Sequence, residues 1–370
     1  MKKMIAFALA LCLALSGCAL VPGKSTLPAE ETTAGTAATE TTGAEITQET
    51  SEETTEATTE PEPVYTNPLT GEVMDAPQSK RIFAVTINNL KDAQPRIGVN
   101  KADIYMEMFV NGSIVRGLAL YTDPSDVPQI GSVRSTRFIF TEIAKHYDLI
   151  VAHAGGSDMV LNYISQMGVD GFNIDTSDST DYSFRDEERT KAHYGWEHVL
   201  FARGEGLEAK AIDSGIDVNA DPEKDYLLRF REDGTPEGGE TAENIDLTLT
   251  YHTSKKDCSW VYDKELGQYV YHQYDMEMVD GKTGEKEAYE NVIVIFPEIK
   301  MNQWGYQVAE FENGGEGYYA CGGKIIPITW GCDSESSPFW FKTQDGQTLE
   351  MGVGRTFIAI SDIGSEMSWS

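Results

Sequence analysis

The chain has 370 residues, with 60 acidic against 29 basic side chains, a formal net charge of −31 at pH 7 and 40% hydrophobic residues. That balance excludes a nucleic-acid interface built on a basic stripe, because neutralising phosphates needs clustered Lys and Arg. The length exceeds the usual single-domain size and predicts two folded parts once segments unable to bury a core are set aside.

Lys2 and Lys3 precede an apolar run from Met4 to Leu15, too short to span a bilayer as a mature helix, and small residues close it at Leu15-Ser16-Gly17-Cys18. Residues 1–17 are therefore expected to be a lipoprotein signal peptide. The ending resembles the bacterial lipobox, which implies cleavage before Cys18 and diacylation of that cysteine. Acyl chains buried at ~0.8 kcal/mol per CH₂ then anchor the protein to a cell membrane, on the extracytoplasmic side of a bacterium. Residues 18–66 hold that cysteine and a Thr/Glu-rich tether with no basic residue between Lys24 and Lys80. Such a composition buries no core and behaves as an expanded spacer, reaching roughly 35 Å or more.

Residues 67–217 read as an N-terminal mixed α/β domain. Arg81 to Asn88 is a short β-branched and aromatic run, and Ile104–Val110 and Ile114–Tyr121 are strands around the hairpin signal Asn111-Gly112. A helix is expected from Ser135 to His146, a buried strand from Leu149 to His153, a turn at Gly155-Gly156, and a second helix capped by Ser157. A further helix is expected over Glu197–Ile212, and a polar connection over 218–244. Residues 245–370 read as a mainly antiparallel β domain. Its strands flank the turn Gly322-Gly323 and end with Thr356–Ile360, so the fold class expected is α+β. Of the remaining cysteines, Cys258 is the expected disulfide partner of either Cys321 or Cys332, since Cys321 and Cys332 on one hairpin lie too far apart in register to bridge.

Chemistry concentrates in the first half. Arg134 and Arg137 are three residues apart among apolar neighbours, and two permanently charged planar forks at that spacing suit a carboxylate or a phosphate. His153 ends a strand beside Gly155 and Gly156, where main-chain N–H groups can approach a ligand, and Ser157 opens a helix whose N-terminus favours negative charge. On the hairpin, a two-residue Asn-Gly turn places Arg116 opposite Glu107 and predicts a cross-strand ion pair. Arg134, Arg137, His153, Gly155, Gly156, Ser157, Glu107 and Arg116 are thus the candidate ligand-binding residues.

Other segments point to less. Asp175–Asp186 lacks the glycine and final glutamate of a calcium loop, His193 and His198 lack metalloprotease spacing, and no Walker, Rossmann or Gly-x-Ser-x-Gly motif occurs. No metal or cofactor is therefore expected. Trp330, Phe339, Trp340 and Phe341 are either a sugar-binding surface or part of a β core.

The ordered motifs Asn67-Pro-Leu-Thr-Gly71, Lys101-Ala-Asp-Ile-Tyr-Met-Glu107, Ile130-Gly-Ser-Val-Arg-Ser-Thr-Arg137 and His153-Ala-Gly-Gly-Ser157 resemble those of the YerB-like bacterial lipoproteins. Gly322-Gly-Lys-Ile-Ile with Trp330, and Gly352-Val-Gly-Arg-Thr-Phe-Ile, are similar to that family's C-terminal domain. The resemblance implies a two-domain lipoprotein without an established activity. The order of elements, an arginine-bearing segment and then a Gly-Gly turn opening a helix, is also similar to that of LytR-CpsA-Psr phosphotransferases. Together these readings give a membrane-tethered protein binding an anionic envelope ligand, whether glycan, polyprenyl-phosphate carrier or protein partner. The alternatives are a phosphotransferase on polyprenyl-pyrophosphate-linked polymers, with Asp103 and Glu107 as its candidate acids, and a protein-interaction scaffold.

Overall fold

The structure, a computed structural model, describes residues 64–370; the expected signal peptide, Cys18 and nearly all of the tether lie outside the described residues. The first half supplies β1 (Phe83–Asn88), β2 (Ile104–Asn111), β3 (Ile114–Tyr121), α1 (Phe138–Tyr147), β4 (Ile150–His153), α2 (Asp158–Met167), β5 (Gly171–Asn173), β6 (Leu200–Ala202) and α3 (Gly204–Asp213). The second half supplies β7 (Asn244–Tyr251), β8 (Ser254–Asp263), β9 (Gln268–Gln273), β10 (Asn291–Ile295), β11 (Ile299–Met301), β12 (Gln307–Ala309), β13 (Gly315–Cys321), β14 (Lys324–Gly331), β15 (Thr356–Ile360) and β16 (Glu366–Trp369). The class is α+β, with a mixed first half and mainly antiparallel sheets in the second.

One sheet of eleven strands joins the two halves. Its spine runs β14-β13-β10-β15-β2-β3-β1-β4-β5, and β15, from the far end of the chain, lies parallel to β2 on one side and β10 on the other. The sheet therefore continues across the segment expected to divide two domains, and the described residues 64–370 belong to one compact unit. Its central strands carry near-continuous apolar runs because both faces are covered. On one face Val85, Tyr105, Phe109 and Ala152 pack with Ile245, Leu247, Trp260 and Tyr271 of a six-stranded sheet containing β7, β8, β9 and β16. On the other, Ala84, Met106, Met108 and Leu118 pack with Ile139, Phe140 and Ile143 of α1 and with Trp330, Phe339 and Phe341. Those three aromatics are core residues rather than a sugar surface.

Several expectations need correction. The helix expected over Glu197–Ile212 is interrupted by β6, because Leu200–Ala202 are buried between two short neighbouring strands; a 3-10 turn covers Trp196–His198 and the α-helix is confined to Gly204–Asp213. The first helix begins at Phe138 rather than Ser135, since the preceding residues stay extended and bond the β4–α2 turn: Ala154 N–H donates to Arg134 O and Thr136 N–H to Gly155 O, each at 3.0 Å. The fold does not end at Ile360, because β16 returns to pair with β7. No disulfide joins the described cysteines. Cys258 packs on one face of the large sheet while Cys321 and Cys332 pack on the other, so the sheet itself separates them.

Candidate functional site

The hairpin register decides which face each polar residue serves. Asn111 pairs with Ile114, leaving Gly112-Ser113 as the turn, and an irregularity at Val110 moves the ladder by one residue, so Glu107 faces Gly117 and Arg116 faces Met108. The expected Glu107–Arg116 ion pair does not exist: a one-residue slip sends the two side chains to opposite faces. Glu107 turns toward the six-stranded sheet. There it accepts from Asn89 Nδ2 at 2.5 Å and Tyr271 Oη at 2.8 Å and pairs with Lys256 Nζ, while Arg96 lies 3.9 Å away and pairs with Glu287. This network is buried and internally neutral, which identifies it as a link between the sheets. Asp103, the other candidate acid, is held by Thr122 N–H at 2.6 Å and Asn67 Nδ2 at 3.0 Å.

Arg116 turns to the helix-bearing face. On the parallel strands, Asn88 pairs with Arg116, and Thr86 and His153 lie alongside at the carboxyl ends of β1 and β4. The extended segment 134–137 crosses these ends. Thr86 Oγ1 donates to Arg134 O, and Arg116 Nη1 to Ser135 O. Arg137 Nη1 donates to Thr136 O at 2.7 Å, and Arg134 Nη1 reaches Glu197 O at 3.5 Å. Every protein partner of the three guanidinium groups is thus a main-chain carbonyl, and among the described residues none forms an ion pair, whereas Arg81, Arg96, Arg185 and Arg229 all do.

The electrostatic consequence follows from burial. Arg116 is 2% exposed, and burial, then Arg137 and Arg134, push its pKa down to about 8. Because a guanidinium stays protonated in proteins, the shift marks an uncompensated charge rather than a neutral arginine. Arg134 and Arg137 are half-buried and lowered in the same direction, burial being the larger cause; Glu197 and Asp175 pull Arg134 back only from beyond ion-pair reach. Arg137 is also the N-cap of α1, and Ser157 caps α2 beside it, so two ten-residue helices direct their positive ends to this region. Burial pushes His153 down to about 4, leaving a neutral imidazole at pH 7. Arg134 Nε, Arg137 Nε, Thr136 Oγ1 and His153 Nδ1 are buried without a hydrogen-bond partner.

Five concavities of 250 to 750 Å³ among the described residues are lined by other side chains, and the arginines form a half-buried shelf. Gly155, with φ of 70°, meets nothing that a Cβ would touch; its role is the turn, and its N–H is taken by Asn173 Oδ1 at 2.9 Å. Gly156 packs beneath Leu161 and Thr136. Ser157 Oγ accepts from Tyr306 Oη at 3.0 Å, which brings the β11–β12 hairpin of the second half onto the shelf. Sequence reasoning missed Thr86, Asn88, Thr136 and Tyr306. The first two carried a signal, polar residues closing an apolar strand; Tyr306 carried none.

A two-part α+β protein with one shared sheet and an unpaired arginine cluster at its strand ends is the class defined by this geometry. The chain belongs to the family described as protein of unknown function (DUF3048): the N-terminal domain matches residues 69–217 and the C-terminal domain residues 247–358. It is similar to "Putative lipoprotein YerB" of Bacillus subtilis (strain 168), with 25% identity over 298 residues, 79% of this chain and 85% of that protein. The crystal structure of the YerB protein from Bacillus subtilis has the same fold, with a TM-score of 0.69 at 23% identity, covering 82% of this chain and 99% of that one.

Proposed function

We propose that this is a lipid-anchored extracytoplasmic protein, held to the membrane through Cys18, whose shelf of Arg116, Arg134, Arg137 and the His153–Ser157 turn binds an anionic envelope ligand. The anchor reading is supported by Leu15-Ser16-Gly17-Cys18 and by the description of the Bacillus relative as a lipoprotein. Among the described residues no helix is long and apolar enough to cross a membrane.

The observation that carries the binding reading is the gathering of three guanidinium groups without a carboxylate partner in a chain of net charge −31. Acids are abundant here, so leaving three neighbouring arginines unpaired is unfavourable unless a ligand supplies the missing charge. Binding is favoured over phosphoryl transfer because a transferase needs an acid at the phosphate, and Asp103 and Glu107 are both engaged elsewhere.

Inorganic diphosphate is the appropriate probe, titrated calorimetrically at submillimolar concentration to avoid the general stabilisation given by kosmotropic anions. Saturable binding that disappears in Arg134→Glu/Arg137→Glu supports the site. Binding of equal strength in that variant, or none to the parent chain, overturns it.

A further inference from the structure

Two exposed indoles neighbour the arginine shelf, Trp304 through Phe138 and Trp196 through Glu197. Trp304, at the tip of the β11–β12 hairpin, is 47% exposed although most tryptophans are largely buried. One face of its ring stacks on Phe138, the residue after Arg137, with centroids 5.6 Å apart and planes 16° from parallel. Asn302 Oδ1 fixes the hairpin tip by accepting from the N–H groups of Trp304 at 3.1 Å and Tyr306 at 3.0 Å, and Tyr306 ties it to Ser157. On the Arg134 side, Trp196 is 60% exposed, with the Arg185 guanidinium 3.7 Å from its ring centroid; the next carbonyl, of Glu197, is the one that meets Arg134. Each indole is thus held on one face and open to solvent on the other.

We propose that the shelf takes a phosphorylated saccharide, its phosphate on Arg116, Arg134 and Arg137 and a sugar ring against the free face of Trp304, with Trp196 meeting a further ring. The inference rests on the anion-binding reading above and adds the sugar to it. An isolated, braced ring beside fixed positive charge fits a sugar face, which is amphipathic and needs a rigid apolar platform; a protein interface needs a contiguous apolar patch with several anchors. Saccharides carrying phosphate beside a ring match indoles set next to a guanidinium cluster. The same chemistry is presented by a phosphate-bearing wall polymer and by the head of a lipid-linked sugar phosphate.

The test compares calorimetric binding of orthophosphate, N-acetylglucosamine and N-acetylglucosamine 1-phosphate to the full chain and to Trp304→Ala. The sugar phosphate should bind roughly tenfold more tightly than orthophosphate, and Trp304→Ala should remove that difference while leaving orthophosphate affinity unchanged. An unchanged melting temperature shows that the exposed substitution has not unfolded the chain. Equal affinity for orthophosphate and the sugar phosphate overturns the saccharide inference and leaves the anion site standing; no binding of either overturns both. Where the sugar phosphate binds, a detergent-solubilised lipid-linked sugar phosphate separates the sources: tighter binding assigns the ligand to a membrane carrier, equal binding to a wall polymer.

Discussion

Glu107 and Lys256 form a buried ion pair across 149 residues of chain, joining the large sheet to the six-stranded sheet packed on it. The pair is one edge of the network that also contains Arg96, Glu287, Asn89 and Tyr271. Removing one partner of a buried pair leaves the other charge without compensation. Lys256→Met is therefore expected to lower unfolding free energy by about 3–5 kcal/mol in urea titrations. Combining it with Glu107→Gln should lose less than the sum of the single changes, with a coupling of roughly 0.5–3 kcal/mol. Strict additivity would show that the contact does not join the sheets energetically.

Gly117, opposite Glu107, tests the same junction sterically. A Cβ there would overlap the phenol of Tyr105, whose hydroxyl bonds Arg96, and Tyr105 is fully buried with no room to retreat. Gly117→Ala should cost about 1–3 kcal/mol, as overpacking of a closed core does. A variant as stable as the parent in urea would mean that the ring has space.

These two residues also mark how far the sequence could be read. The run from Arg81 to Asn88 was legible as a short β-branched and aromatic strand, and every residue of it from Phe83 onward is buried. The hairpin was legible but its register was not: Val110 inserts one residue into the ladder, and that slip moved Glu107 from the proposed site into the network. Arg134 and Arg137 lie on an extended segment bonded to the Gly155 turn rather than on a shared helical turn. Arg96–Glu287, separated by 191 residues, and Tyr306–Ser157, separated by 149, depend on the two halves sharing one sheet, which no local pattern encodes.

His153 gives the pH dependence. Its folded value of about 4 lies below the ordinary 6.5, so between those values the unfolded chain binds more protons than the folded one. Stability contributed by the neutral imidazole is present above 6.5 and is lost as pH falls toward 4, by at most about 3 kcal/mol. His146 shifts in the same direction and adds to the slope. His153→Gln should flatten the stability profile between pH 6.5 and 4 relative to the parent chain. An identical slope would show that His153 is protonated in the fold.

Arg116 separates function from stability. It is buried with a carbonyl oxygen as its protein partner and two further arginines nearby, so in the absence of ligand its charge opposes folding. Replacing it with a side chain of similar length and no charge removes that opposition and keeps much of the packing against Met108. Arg116→Met is expected to stabilise the free chain by about 0.5–2 kcal/mol, within the range found when a residue kept for binding is replaced. The same change should abolish calorimetric binding of diphosphate. A structural arginine predicts the reverse: lost stability with unaltered diphosphate affinity. The sign of the stability change at Arg116 therefore distinguishes a buried charge awaiting its counter-ion from an arginine that merely supports the loop.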